Sequence, residues 1–163
     1  MMIKIFTVGG TIDKNYMAER NGLDVDKPII SEILDTANVG YEYEIEPILY
    51  KDSLEMDDAD RRLVYEKIAA DPNDRIVLTH GTDTMIQTAK VLKAIPNKVI
   101  VITGAMVPAV IRASDAPFNI GCAIIAVQTL SPGAYISMNG QVFNPEKTRK
   151  NHEARRVEEL KAE

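Results

Sequence analysis

The sequence predicts an α/β domain of three layers: a mainly parallel sheet, helices on both faces, and an active site at the carboxyl ends of the strands. Three observations lead there. Short apolar, β-branched runs alternate along the chain with segments of helical spacing. Three of these runs end in polar, glycine-containing segments: TVGGTI at 7–12, LTHGTDTM at 78–85 and VITGAM at 101–106. The length, 163 residues, fits a single domain over 1–163 and leaves no room for a second of ordinary size.

The elements follow in order. IKIFTV (3–8) reads as a strand closed by Gly9-Gly10, and the polar stretch 13–27 as a long loop. PIISEILDTA (28–37) reads as a helix with Pro28 in its first turn. YEYEIEPILY (41–50) alternates as a strand does, and Pro47 points to an edge or a bend. Asp57 or Asp58 caps a helix over ADRRLVYEKIAA, which DPND stops. RIVLTH (75–80) is a buried strand, DTMIQTAKVLKAI a helix, and KVIVITG (98–104) another buried strand. A loop over 105–116 leads to the helix PFNIGCAIIAVQTL, then to the strand GAYISMN (133–139). The polar tail EARRVEELKAE has helical character, with a narrow stripe able to pack.

Ligands of open α/β sheets bind beyond the strands' carboxyl ends. That rule collects Thr11, Thr82, Thr84 and Thr103 into one region. Gly9-Gly10 allows a sharp turn with exposed amides, although a plain strand-to-loop turn explains that pair equally well. The G-x-G-x-x-G spacing of dinucleotide sites is absent. In HGTDT, Thr82 or Asp83 can cap the following helix, but capping accounts for one of them and not both. An ionised Asp83 at a helix start suits a substrate ammonium. His80 is read as a buried strand residue. A threonine nucleophile needs a base, and KTRK (147–150) offers lysines, though a solvated basic patch is the blander reading.

Composition removes other classes. Net charge is −5, and the short RR pairs at 61–62 and 155–156 give no nucleic-acid footprint. One cysteine, Cys122, rules out a disulfide framework and a metal cluster and reads as a packed core thiol. No run approaches the ~20 apolar residues of a membrane span, and the N-terminus lacks a signal peptide's apolar run. A cytoplasmic protein is expected.

At this point the segments VGGTI (8–12), LTHGTDTM (78–85), TGAM (103–106) and SDAPFN (114–119) resemble, in order and spacing, the signature segments of the L-asparaginase family of threonine amidohydrolases. The likeness runs to about residue 151, and GGTI with HGTDT is highly specific. The resemblance implies roles position by position. Thr11 matches the first threonine nucleophile, and Tyr16 the tyrosine that assists it. Thr82 matches the second threonine, and Asp83 the residue that grips the substrate's amino group. Ser53 matches the serine that holds the α-carboxylate. Lys150 matches the lysine paired with Thr82 and Asp83, favoured over Lys147 by counting from MN at 138–139. Backbone N–H groups of the Gly10–Thr11 and Thr82 turns would meet an oxyanion. The implied chemistry is acyl transfer from a small amide such as asparagine, with no metal or organic cofactor.

Departures from the family pattern shape further expectations. Family enzymes are roughly twice as long, so this chain corresponds to their N-terminal domain, and the C-terminal domain, which helps contact the substrate's amino group, is expected to be absent. Leu54 stands where a polar residue, often Gln, follows the serine, and Asp115-Ala116-Pro117 replaces Asp-Gly-Pro. Apolar surface bared by the missing domain predicts a homodimer or higher homo-oligomer. The alternative function is an amino-acid-binding or regulatory module without turnover.

Overall fold

The computed structural model describes residues 1–160. Strand β1 (Met2–Gly9) is followed by a hairpin, β2 (Lys14–Met17) and β3 (Gly22–Val25), in place of the expected loop over 13–27. Asn21 in the left-handed region (φ 47°) lets its tip turn. Helix α1 (Ile30–Thr36) begins two residues after Pro28, which therefore lies outside the first turn. β4 (Glu42–Lys51) pairs with β1 alone and is an edge strand, which accommodates Pro47. Asp57 caps α2 (Asp58–Ala70) in a reciprocal capping box with Asp60.

The remaining elements are β5 (Arg75–Thr79), α3 (Met85–Leu92), β6 (Val99–Thr103), α4 (Ala116–Thr129), β7 (Gly133–Met138), β8 (Gln141–Phe143), β9 (Thr148–Asn151) and β10 (Arg156–Glu159). The main sheet runs β4-β1-β5-β6-β7-β8; its first five strands are parallel, and β8 returns antiparallel to β7. The order reverses direction between β1 and β5, and at such a switch point the flanking loops part to leave a crevice.

Alternate side chains divide the core between the two faces. Phe6, Leu78, Ile102 and Ile136 meet Val64 of α2 and Met85 of α3 on one face. Ile5, Val77 and Val101 meet Leu34 of α1 and Ile120 and Val127 of α4 on the other. The three-layer architecture is therefore as the sequence predicts.

The tail departs from expectation. Residues 148–159 form the antiparallel hairpin β9–β10 and not a helix; positions 161–163 of the expected helix lie outside the described residues. Tertiary contacts override local propensity here. Val157 is buried in the α2–α3 face and its N–H donates to Asn139 Oδ1 at 2.8 Å. Glu158 accepts from Arg149, Asn151 and Arg156. Cys122 is also corrected: it is half-buried, because α4 turns Ala123, Ile124 and Val127 to the sheet and leaves Cys122 on the flank with the exposed Phe118 and Ile125.

Candidate active site

Glycines bring the strand ends together. A Cβ on Gly10 would stand 2.4 Å from the Gly81 backbone, one on Gly81 2.5 Å from Ser53 Oγ, and one on Gly104 2.3 Å from the His80 carbonyl. Gly10 also has φ +90°, a conformation that L side chains rarely adopt. The ends of β1, β5 and β6 thus close to distances no side chain permits, and the residues just beyond them converge.

Thr11, Thr82, Asp83, Met106 and Lys150 line one cavity of about 200 Å³ at the β1–β5 switch point, with His152 and Arg155 at its rim. Lys150 Nζ donates to Thr82 Oγ1 at 2.9 Å and to Asp83 Oδ1 at 2.6 Å. The lysine's side chain is 14% exposed and the aspartate's 28%, so the pair is partly desolvated and stronger than a surface ion pair. Lys147 is exposed, in the turn Pro145–Lys147 away from the cavity. The β9–β10 hairpin explains how Lys150 arrives: β9 is held by β10, and the hairpin forms the cavity's outer wall.

Other expected residues stand elsewhere. Tyr16 is 60% exposed on the hairpin, its hydroxyl donating to Asn21 Oδ1 at 3.2 Å. Ser53 is 1% exposed, with its Oγ unpartnered against Gly81, and it does not line the cavity. Leu54 points outward, 72% exposed. Gly10 is not an available donor: its N–H donates to the Lys51 carbonyl at 2.9 Å, because β1 resumes pairing with β4 after a bulge. Among the described residues, Thr11 and Thr82 donate their backbone N–H groups to no partner.

Neither Thr82 nor Asp83 caps α3. Its N-cap is Thr84, whose hydroxyl donates to the Ser53 carbonyl at 2.8 Å, and no side chain caps the helix. Thr103 also turns from the cavity, donating to the Ser137 carbonyl at 2.8 Å. His80 is fully buried, as its structural reading requires. Its Nδ1 faces the Gly81 carbonyl and its Nε2 the Thr88 hydroxyl, both at 2.8 Å. A carbonyl only accepts, so Nδ1 carries the proton and Nε2 accepts from Thr88. Burial holds the ring neutral by lowering its pKa to about 4 against the pull of the Gly81 carbonyl.

Supporting residues complete the floor. Asp115 accepts from the N–H groups of Met106 and Val107 and from Asn119 Nδ2, which fixes the loop carrying Met106. Asn119 also donates to the Gly104 carbonyl. Asp52 pairs with Lys14 at 2.6 Å; burial would raise its pKa, but Lys14 and the Leu54 N–H outweigh burial and lower it. His152 and Arg155 escaped the sequence reading because nothing in a polar tail marks a turn that folds back over a site. Among the described residues, no group of three or more His, Cys, Asp or Glu side chains is arranged to hold a metal, and no helix is long and apolar enough to cross a membrane.

A family model described as "Asparaginase, N-terminal" matches residues 2–159. An L-asparaginase from Thermococcus kodakarensis is 32% identical over 165 residues, covering 93% of this chain and 48% of that protein. L-asparaginase 2 of Escherichia coli is 30% identical over 157 residues, covering 87% and 44%. Among solved structures, the thermostable L-asparaginase from Thermococcus kodakarensis superimposes with a TM-score of 0.83 at 27% identity, over 98% of this chain and 51% of that one. A probable cytoplasmic L-asparaginase from Campylobacter jejuni gives 0.77 at 28%, over 92% and 49%. The chain thus spans about half the length of these relatives.

Proposed function

The chain belongs to the asparaginase family, and on that premise we propose that its cavity hydrolyses the side-chain amide of L-asparagine or a related small amide through a threonine nucleophile. One observation carries the reading: Lys150 bridges Thr82 and Asp83 in the cavity that Thr11 also lines. A threonine hydroxyl attacks an amide only with a base in reach, and this cavity holds two threonines and a lysine.

In the proposed reaction Thr11 Oγ attacks the amide carbon. The oxyanion is met by the N–H groups of Thr11 and Thr82, ammonia leaves, and water attacks the acyl ester to release the acid. Thr82 and Lys150 form the proton path. Asp83 gives one oxygen to Lys150 and offers the other to the substrate ammonium. Assistance from Tyr16 requires the β2–β3 hairpin to fold over the cavity, since the ring is exposed at rest.

The reading carries a homo-oligomer with it, supported by the exposed Phe118 (61%), Ile125 (63%) and Val142 (44%) beside one another on α4 and β8. It also carries a cytoplasmic setting. The test is ammonia release from L-asparagine, L-glutamine and simple amides. Release from asparagine or a close analogue is expected; a folded protein that releases none from any of them, yet binds aspartate by calorimetry, would make it a binding module instead.

A further inference from the structure

We infer that Arg155 is the specificity-determining residue of this cavity, gripping a free carboxylate on the substrate so that the site selects anionic amides over neutral ones. This rests on the amidohydrolase reading above.

Four observations converge. Arg155 lines the cavity with Thr11, Thr82, Asp83 and Lys150. The hairpin's other arginines, Arg149 and Arg156, are both taken up by Glu158, and Lys150 is taken up by Asp83. Arg155 makes no ion pair among the described residues, so the cavity keeps one uncompensated cation. Ser53, the residue expected to hold a carboxylate, is buried beside Gly81 and does not line this cavity. Finally, Arg155 has φ 49°, a left-handed position where a side chain costs roughly 1–2 kcal/mol that glycine avoids. Turn formation alone favours glycine there, so the guanidinium needs another explanation.

The turn is also anchored. Asn151 Oδ1 accepts from the Ala154 N–H at 3.0 Å, the Arg155 N–H reaches the His152 carbonyl at 3.3 Å, and the Leu160 N–H closes on the Lys147 carbonyl at 2.8 Å. A guanidinium on an anchored turn suits bidentate recognition of a carboxylate. Asparagine then meets three points: its ammonium at Asp83, its carboxylate at Arg155 and its amide at Thr11. Amidation of the α-carboxylate removes the Arg155 contact and leaves the scissile amide unchanged.

The experiment compares kcat and KM for asparagine and for its α-carboxamide, aspartic diamide, in wild type, Arg155→Gly and Arg155→Lys. Wild type is expected to favour asparagine. Arg155→Gly should lose about 10- to 100-fold in kcat/KM for asparagine, mostly through KM, and keep its rate on the diamide; Arg155→Lys should recover part of the loss. Glycine relaxes the left-handed backbone, so Arg155→Gly should be at least as thermally stable as wild type, which separates the effect from folding. Equal loss on both substrates, or no loss on asparagine, overturns the inference. If wild type hydrolyses neither of these nor any other amide of the panel, the amidohydrolase reading falls and calorimetry with succinate decides Arg155 separately. Binding that Arg155→Gly abolishes upholds the anchor; binding that persists in the variant, or is absent from wild type, overturns it.

Discussion

Replacing Asp13 with Asn tests the electrostatics of the buried turn Thr11–Asp13. Asp13 is 4% exposed. Its Oδ1 accepts from the Ile29 N–H at 3.1 Å, while its Oδ2 is buried without a partner. Burial pushes its pKa from 3.8 to about 7; the Ile29 N–H pulls the other way and the charge of Asp26 adds to the rise. The unfolded chain releases this proton near 3.8 and the folded chain near 7, so between those values the folded state binds more protons. Its stabilising contribution is therefore complete below 3.8 and lost as pH rises through 7. At ~1.4 kcal/mol per unit the whole window is worth about 4 kcal/mol, and the interval from pH 5 to pH 8 roughly 2–3 kcal/mol. Asn does not titrate, and its carbonyl can still accept from Ile29. Urea unfolding of both proteins from pH 5 to pH 8 should show the variant gaining that roughly 2–3 kcal/mol on wild type as pH rises. The comparison is needed because His80 runs the opposite way: its pKa falls from 6.5 to about 4, so its contribution is present above 6.5 and lost as pH drops through 4. A stability difference that is constant with pH, or largest at pH 5, would refute the reasoning.

Three further outcomes are expected. Leu78→Ala, in the centre of the α2–α3 face and fully buried, should cost about 3 kcal/mol in urea unfolding. Asp115→Ala removes the acceptor of three N–H donors and should cost roughly 2–3 kcal/mol in the same measurement, with KM rising as Met106 loses its support. Glu158→Ala loosens the β9–β10 hairpin that carries Lys150 while Val157 keeps β10 seated in the core; ammonia release should fall about 10-fold while stability changes by under ~1 kcal/mol, because the arginine partners lost are largely exposed.

The sheet was legible because its strands announce themselves. VIVIT is an unbroken β-branched run and RIVLT holds three β-branched residues around Leu78, and the glycines that follow them, Gly81 and Gly104, are explained by the close packing there. The convergence of Thr11, Thr82 and Asp83 could be read from residues at strand ends, whereas Lys150 came only from the family resemblance, because KTRK taken alone reads as a solvated basic patch. The hairpin at 148–159 was hidden because EARRVEEL has good helix formers, and what overrides them is long-range: Val157 finds the core, and Glu158 collects partners from both strands. The short β2–β3 hairpin was hidden in the same way, its polar sequence giving no alternation to detect. Ser53 and Gly10 show the limit of positional matching, since sequence gives a residue's place along the chain but not which of its atoms is already engaged.

The central claim is that Thr11 becomes acylated. Rapid quenching of wild type with excess L-asparagine, followed by peptide mass mapping, tests it most directly. The account predicts an aspartyl adduct on the peptide that contains Thr11, absent from Thr11→Ala, together with loss of ammonia release in Thr11→Ala and Thr82→Ala. An adduct on Thr82, or ammonia release that persists in Thr11→Ala, would contradict it.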